Sequence, residues 1–352
     1  MESMNKKVVV IGAGIVGLHI AIALQEKNFE VYVLEQEAYP GHHTSTRNSG
    51  VIHAGVYYQE GSLKEKFCLE GNPLTYEWLK KLGVEHNPCG KWVIPGFGQD
   101  ESHLREFHEK LKKLSIAGVR ELDASQLAIE EPALKATSAL YIPTTGVMDA
   151  AGYVRSLERY AVSKGIMILY HCKVLEVSEN QVNTSRGPLD ADIIINSAGL
   201  FADGVAGLFG LSGYEVKPCR GDYYQYNHLP ISRPVYHPLS KVVLGLGIHL
   251  TPTFDHHLLL GPNAYFIDDK TDYEHRSKPD EFERTIRDHL PHLKHYQLHM
   301  AYTGNRPKLY YQGAAVYDFT IIKQDNRIQL LGIESPGLTA SPAIARYVAS
   351  MI

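Results

Sequence analysis

The stretch Val8-Val9-Val10-Ile11-Gly12-Ala13-Gly14-Ile15-Val16-Gly17 decides how the rest of the chain is read. Four apolar residues in a row predict a buried strand, and the glycines at 12, 14 and 17 follow it with GxGxxG spacing. The apolar pattern continues to residue 27 at helical spacing, and a second strand is predicted over 31–35, ending in the acid Glu35. Each glycine has a physical task. Gly12 permits a sharp turn, Gly14 lets backbone approach a pyrophosphate, and Gly17 lets the helix pack against the strand. The amides around Ile15 and Val16 and the positive end of the helix dipole then face the phosphates, while Glu35 accepts hydrogen bonds from a ribose diol. Strand, helix and acid together read as a dinucleotide-binding β-α-β unit. Residues 8–24, after Lys6-Lys7 and containing Ala21-Ile22-Ala23, also resemble a secretion signal. The regular glycine spacing and the strand that follows decide for the soluble reading.

The 352 residues suggest two domains or one large α/β unit. Hydrophobic residues at 44% and charged residues at 21% are ordinary globular values and argue against disorder. The net charge, 35 − 39 = −4, with both signs scattered, predicts no nucleic-acid partner. Cys68, Cys89, Cys172 and Cys219 lie far apart with no CxxC pair, which predicts no disulfide framework, no metal site and a reducing, cytoplasmic setting. No convincing transmembrane segment is present, and peripheral membrane contact stays open.

Further along, helices are predicted at 74–82 and 104–117. A second α/β stretch follows, with a helix at 153–164 and strands at 166–170, 173–177 and 193–196. From 217 to 260 the texture changes to short β-branched and aromatic runs, such as Asp222-Tyr223-Tyr224-Gln225-Tyr226 and 242–250, broken by proline and glycine. A helix at 278–290, a strand at 328–332, a turn at 334–338 and a closing helix complete the pattern. The expected fold is α/β. A Rossmann-like nucleotide-binding domain is drawn from 1–85, 141–215 and 325–352, with an inserted substrate domain of mixed or antiparallel sheet from 86–140 and 216–324. Two features favour FAD over NAD. The strand Ile193-Ile194-Ile195-Asn196 runs into Ser197-Ala198-Gly199, as if meeting the nucleotide again. Gly332-Ile333-Glu334-Ser335-Pro336-Gly337-Leu338-Thr339 opens a helix whose dipole suits a reduced flavin.

Arg47-Asn48-Ser49-Gly50-Val51-Ile52-His53-Ala54-Gly55-Val56-Tyr57-Tyr58 resembles the signature of FAD-dependent L-2-hydroxyglutarate dehydrogenases and oxidases, within the D-amino-acid-oxidase-like superfamily. The similarity extends through Gly61-Ser62-Leu63-Lys64, Cys89-Gly90-Lys91, Gly146-Val147-Met148-Asp149, Arg220-Gly221-Asp222-Tyr223-Tyr224 and Gly261-Pro262-Asn263. The region between Asn263 and Arg306 is shorter than in the longer members. The resemblance implies a GR2-type FAD domain, non-covalent FAD, and oxidation of a 2-hydroxy acid to a 2-oxo acid. Thr46, Arg47, Asn48, Ser49, Val174, Ala198, Gly199, Gly337, Leu338 and Thr339 are expected around that cofactor. Glycine- or sarcosine-oxidase-type amine oxidation, glycerol-3-phosphate-dehydrogenase-like chemistry and a non-catalytic flavoprotein are the alternatives. The electron acceptor, whether oxygen, a quinone or another carrier, stays open.

His53 is the first candidate for chemistry. A neutral imidazole, with an ordinary pKa of about 6.5, can take a hydroxyl proton while hydride leaves the same carbon. The alternative is a histidine that only orients the cofactor. His42 and His43 are expected on the loop or phosphate side. Arg306 is the candidate anchor for the substrate carboxylate, because its fork matches two oxygens at once and Pro307 biases it toward an extended backbone. A surface arginine is the competing reading. Tyr223 and His249 are further candidates on predicted strands, where alternation lets only one of Tyr223 and Tyr224 face a pocket.

Overall fold

The computed structural model describes residues 6–96, 101–228, 230–238, 247–254 and 256–352. The GxGxxG stretch is the centre of a sheet that has, among these residues, six strands. Their order is Thr320–Gln324, Arg327–Leu331, Ile193–Asn196, Lys7–Ile11, Glu30–Leu34 and Met167–Leu169. All neighbours are parallel except the first two, which form an antiparallel hairpin. Val8, Val9 and Val10 are fully buried because both faces of the sheet are covered, which explains the unbroken apolar run. Val8 and Val10 point to the helices Ile15–Gln25, Leu63–Leu82, Ala150–Ser163 and Gly337–Ser350. Val9 and Ile11 point the other way, to a cluster containing Val174, Val182 and Phe209. The alternation is that of any strand; what differs here is that both sides are core.

A second sheet has ten strands among the described residues. Toward one end of it the long strands Tyr214–Tyr226 and Leu298–Tyr311 pair antiparallel over most of their lengths. Beyond Tyr214–Tyr226 come Leu258–Gly261, His249–Pro252, Val235–Tyr236, Lys91–Val93, Ser138–Ile142 and Arg120–Asp123. The sheet is mixed, since Val235–Tyr236 runs parallel to Lys91–Val93 and the remaining pairs are antiparallel. A small sheet of Val51–Ile52, Gly146–Met148 and His86–Asn87 lies immediately ahead of His53.

Several expectations shift in detail. The helix expected at 74–82 spans Leu63–Leu82 and runs through Pro73. Ser62 caps it by accepting from the Glu65 amide, so the interior proline hid the first half rather than ending it. The helix expected at 104–117 is Glu101–Lys113, and that expected at 278–290 is Pro279–Ile286. The boundary placed at 325 falls inside a hairpin: Thr320–Gln324 already belongs to the first sheet, and Asp325 turns the chain at φ 52°. Its half-exposed, partly polar face made that strand inconspicuous. Of the run expected at 242–250, residues 242–246 lie outside the described residues; its end becomes the strand His249–Pro252.

Candidate active site

A cavity of about 940 Å³ separates the two sheets, and the glycine turn forms one end of it. Gly12 turns the chain at φ 102°, where a Cβ would sit 2.8 Å from the Ser197 carbonyl oxygen. At Gly17 a Cβ would sit 2.0 Å from the Gly12 carbonyl oxygen, so helix and strand reach this spacing only with glycine there. Gly14 starts the helix without a side-chain cap and lines the cavity with Ile15 and Val16. Glu35 lines it too. Its carboxylate accepts from the Ala13 amide at 2.8 Å and the Glu37 amide at 3.0 Å. Burial raises its pKa above the usual carboxylate range against the pull of those amides. Four lone-pair positions on a carboxylate leave room for a diol as well.

Val174, Ala198 and Gly199 line the same cavity, as do Gly337 and Leu338 at the start of the C-terminal helix. That helix also begins without a side-chain cap, so two helix starts border one cavity. At the first of these starts the Ile15 amide donates to the Ser45 hydroxyl at 3.0 Å. These features suit a dinucleotide: two helix N-termini, an acid with spare acceptors and a glycine-narrowed turn.

The loop after Glu35 is tied to the second sheet rather than left free. Thr44 donates to the Asn305 carbonyl at 2.9 Å and Tyr302 donates to the Asn48 carbonyl at 2.7 Å. Arg47 lies 4.1 Å over the Tyr273 ring, and a Cβ on Gly304 would meet the Arg47 carbonyl oxygen at 2.1 Å. Arg47, Asn48 and Ser49 line the cavity. Thr46 does not; its hydroxyl closes the loop on the Gly41 carbonyl at 2.7 Å. Thr339 is fully buried outside the lining, and its hydroxyl accepts from the His53 amide at 3.0 Å. Both hydroxyls are thus engaged by backbone that frames the cavity. His42 and His43 line the cavity, with both His43 nitrogens engaged by Tyr273 and Glu37 at 2.6 and 3.1 Å.

The four residues expected to react converge on the other end. His53 Nε2 lies 3.3 Å from the Ser335 hydroxyl, and its ring meets Tyr236 edge-on with centroids 6.4 Å apart. Tyr236 in turn stacks on His249 at 4.2 Å. His249 Nε2 lies 3.2 Å from the Ser49 hydroxyl, which also lies 3.4 Å from the Tyr223 hydroxyl. Tyr223 faces the cavity by ordinary alternation with Gly221, which also lines it; the pairing slips between Asp222 and Tyr224, with the extra residue on Leu298–Tyr311. The Tyr223 ring lies against Tyr302 at 4.7 Å, while Tyr224 points away and donates to the Ser277 carbonyl. Arg306 borders the cavity with both terminal nitrogens 3.3 Å from the Asn263 carbonyl. Its remaining N–H groups are donors for a carboxylate. Burial pushes His53 down to about 3, with Lys91 and His249 adding to the effect. Burial does the same to His249, also to about 3, so both imidazoles are neutral at ordinary pH.

Comparison with known proteins agrees with this geometry. The chain matches the family described as FAD dependent oxidoreductase (DAO) over residues 7–351. It belongs to that family. Among curated proteins it is 30% identical to the mitochondrial L-2-hydroxyglutarate dehydrogenase of Arabidopsis thaliana, over 97% of this chain and 82% of that one. It is 29% identical to a glycerol 3-phosphate dehydrogenase of Caloramator mitchellensis, over 98% of this chain and 73% of that one. The fold matches that of the FAD-bound L-alpha-glycerophosphate oxidase of Mycoplasma pneumoniae with a TM-score of 0.87, at 24% identity, covering 98% of this chain and 94% of that one. The cofactor of this oxidoreductase is FAD. Among the described residues, no helix is long and apolar enough to cross a membrane.

One charged cluster lining the cavity has no signature in the sequence. Glu334, just before the C-terminal helix, accepts from Lys64 at 2.8 Å and from Lys308 at 2.9 Å, and all three line the cavity. Burial pushes the Glu334 pKa up, but the two ammonium groups outweigh it and hold the carboxyl below its usual range. The three residues come from distant parts of the chain, and no local pattern joins them. Tyr236 was missed for the same reason: one aromatic among many carries no signal until its partners are known.

Proposed function

We propose that this oxidoreductase converts a small 2-hydroxy acid to the 2-oxo acid, with L-2-hydroxyglutarate as the leading substrate. The observation that carries the reading is the pairing, across one cavity, of a neutral imidazole at His53 with an arginine at Arg306 that has donors to spare. A relative covering nearly the whole chain and bearing the name L-2-hydroxyglutarate dehydrogenase supports it. FAD supplies the acceptor for the two electrons that leave with the C2 hydrogen as hydride. Gly12, Gly14, Ile15, Val16, Glu35, Ala198 and Gly337 would hold it.

The chain's own residues do the rest. Arg306 binds the carboxylate in two parallel hydrogen bonds and fixes which face of C2 is presented. His53 takes the hydroxyl proton, so that the C–O bond becomes a carbonyl as hydride departs. Tyr223 and His249, joined through Ser49, form the wall opposite and keep water from the reacting carbon. The substrate carboxylate brings an opposite charge toward His53 and makes the imidazole a stronger base than in the empty site. Glycerol 3-phosphate is the second reading, because it is the same alcohol chemistry on an anion and a relative spanning 98% of this chain carries that name. The test is anaerobic reduction of the FAD-loaded protein with a panel of 2-hydroxy acids, glycerol 3-phosphate and amino acids. Bleaching of the flavin band by L-2-hydroxyglutarate is the expected result. Bleaching by amino acids alone, or by no donor in the panel, would sink the proposal.

A further inference from the structure

The deepest charge near His53 lies outside the cavity. Lys91 begins a central strand of the second sheet, between Val235–Tyr236 and Ser138–Ile142. Strand alternation sends Trp92 into one core and Lys91, with Val93, into the other. The Lys91 side chain is fully buried, its ammonium has no hydrogen-bond partner, and no ion pair reaches it among the described residues. In place of a carboxylate it has two aromatic faces, Tyr57 at 4.3 Å and Tyr236 at 4.9 Å. Cation–π attraction offsets only part of the cost of burying a bare ammonium, and a methionine of similar length would fill the space without that cost. The position therefore calls for an explanation beyond packing.

Its surroundings supply one. The Tyr236 ring that faces Lys91 also stacks on His249 and meets His53 edge-on. Tyr57 lies four residues after His53 and packs on Tyr236 at 5.9 Å. Cys68, from the helix Leu63–Leu82, donates to the His53 carbonyl at 3.5 Å. The groups facing His53 are thus His249 and Tyr236 from the second sheet, Ser335 from the loop before the last helix and Cys68 from the long helix. Those facing Lys91 are Tyr57, Tyr236 and Cys68.

We propose that Lys91 is a positioning residue for the base: its ammonium, clamped by Tyr57 and Tyr236, fixes the Tyr236 wall on which His53 and His249 rest and keeps His53 in its neutral, proton-accepting form. This rests on the reading of His53 as the base. Lys91 is the second cause, after burial, of the lowered His53 pKa, and its charge acts on His249 in the same direction. Burial pushes Lys91 itself down to about 7, with Cys68 opposing, so the lysine is charged throughout the acidic range in which His53 takes up a proton.

The test compares FAD-loaded wild type with Lys91→Met by NMR titration of ring-labelled histidine, assigning His53 through His53→Ala. Removing the like charge should raise the His53 pKa by about one unit. The acidic limb of kcat/KM should move up by the same amount while FAD stays bound. Lys91→Arg, which keeps the charge, should return both toward wild type. The titration uses no substrate, so it stands even if the 2-hydroxy-acid reading fails. If Lys91→Met does not fold, Tyr57→Leu loosens the clamp and should shift His53 in the same direction by less. An unchanged His53 titration in folded Lys91→Met, or in Tyr57→Leu where the first does not fold, overturns the proposal.

Discussion

Binding of an anionic substrate should move the acidic limb of the pH profile, and His53 is the group that carries the shift. In the empty site burial, the Lys91 charge and His249 push its imidazole down from 6.5 to about 3. The neutral form is the proton acceptor, so activity is full above the folded value and is lost as pH falls through it. The acidic limb of kcat/KM, which reports the free enzyme, should therefore lie below about pH 5 rather than near the ordinary histidine value. A carboxylate on Arg306 then adds a negative charge beside the ring. At about 6–8 Å and an effective dielectric constant of about 20, the interaction is about 2–3 kcal/mol, equivalent to about 1.5–2 pH units upward. The limb of kcat, which reports the substrate complex, should lie higher by that amount. The assay is anaerobic stopped-flow bleaching of the flavin band across about pH 4–9. His53→Ala should slow bleaching about 10²–10⁴-fold and retain FAD, because the residue 53 amide keeps its bond to Thr339. Coincident limbs, a kcat/KM limb near 6.5, or wild-type bleaching by His53→Ala would each refute the reasoning.

Three further substitutions probe the rest of the site. Glu35→Ala should weaken FAD retention by about 1.5–3 kcal/mol, measured by equilibrium dialysis of released flavin; unchanged affinity would remove Glu35 from the ribose. Arg306→Lys should lower kcat/KM about 10-fold or more, with a smaller loss in kcat, because charge survives but the paired geometry does not; normal kinetics on every acidic substrate would place the anchor elsewhere. Glu334→Gln leaves two buried ammonium groups facing a neutral amide and should cost about 3–5 kcal/mol, read as a lowered Tm at neutral pH. Since the folded Glu334 pKa is depressed, its contribution is full above the ordinary 4.5 and fades as pH falls through the folded value, so melting curves of wild type and variant should converge in acid.

The cofactor half of the site was legible because its signals are local. Strand, glycine spacing and acid all fall within residues 8–35, and each makes the same demand on the backbone. The other half depends on register. Alternation settles that Tyr223 and Tyr224 face opposite ways, but which of them meets the cavity depends on which face of the strand the fold turns toward it, and no pattern within 222–226 contains that. Thr339 shows a second kind of long-range dependence. Its place at a helix start is local, but the bond between its hydroxyl and the His53 amide is not. Lys91 shows a third: a single lysine beside a tryptophan reads as a solvated charge, and only the fold reveals it as buried.

Electrostatics also bears on which of the competing substrates suits this cavity. Around its reacting end stand Arg306, Lys64 and Lys308, with Glu334 and Asp318 as the acids, and Lys91 lies just behind the wall. The histidines there are neutral, so the local balance is positive before anything binds. A 2-hydroxy acid brings only negative charge into that field. An amino acid brings an ammonium group into it as well. The zwitterion therefore meets a charge penalty that the hydroxy acid does not. A diacid gains further from a second cation near the first, since Lys64 and Lys308 together exceed the single charge of Glu334. The same preference predicts that 2-hydroxyglutarate should outcompete lactate for the reducing site. Equal kcat/KM for the two would show that only one carboxylate is read.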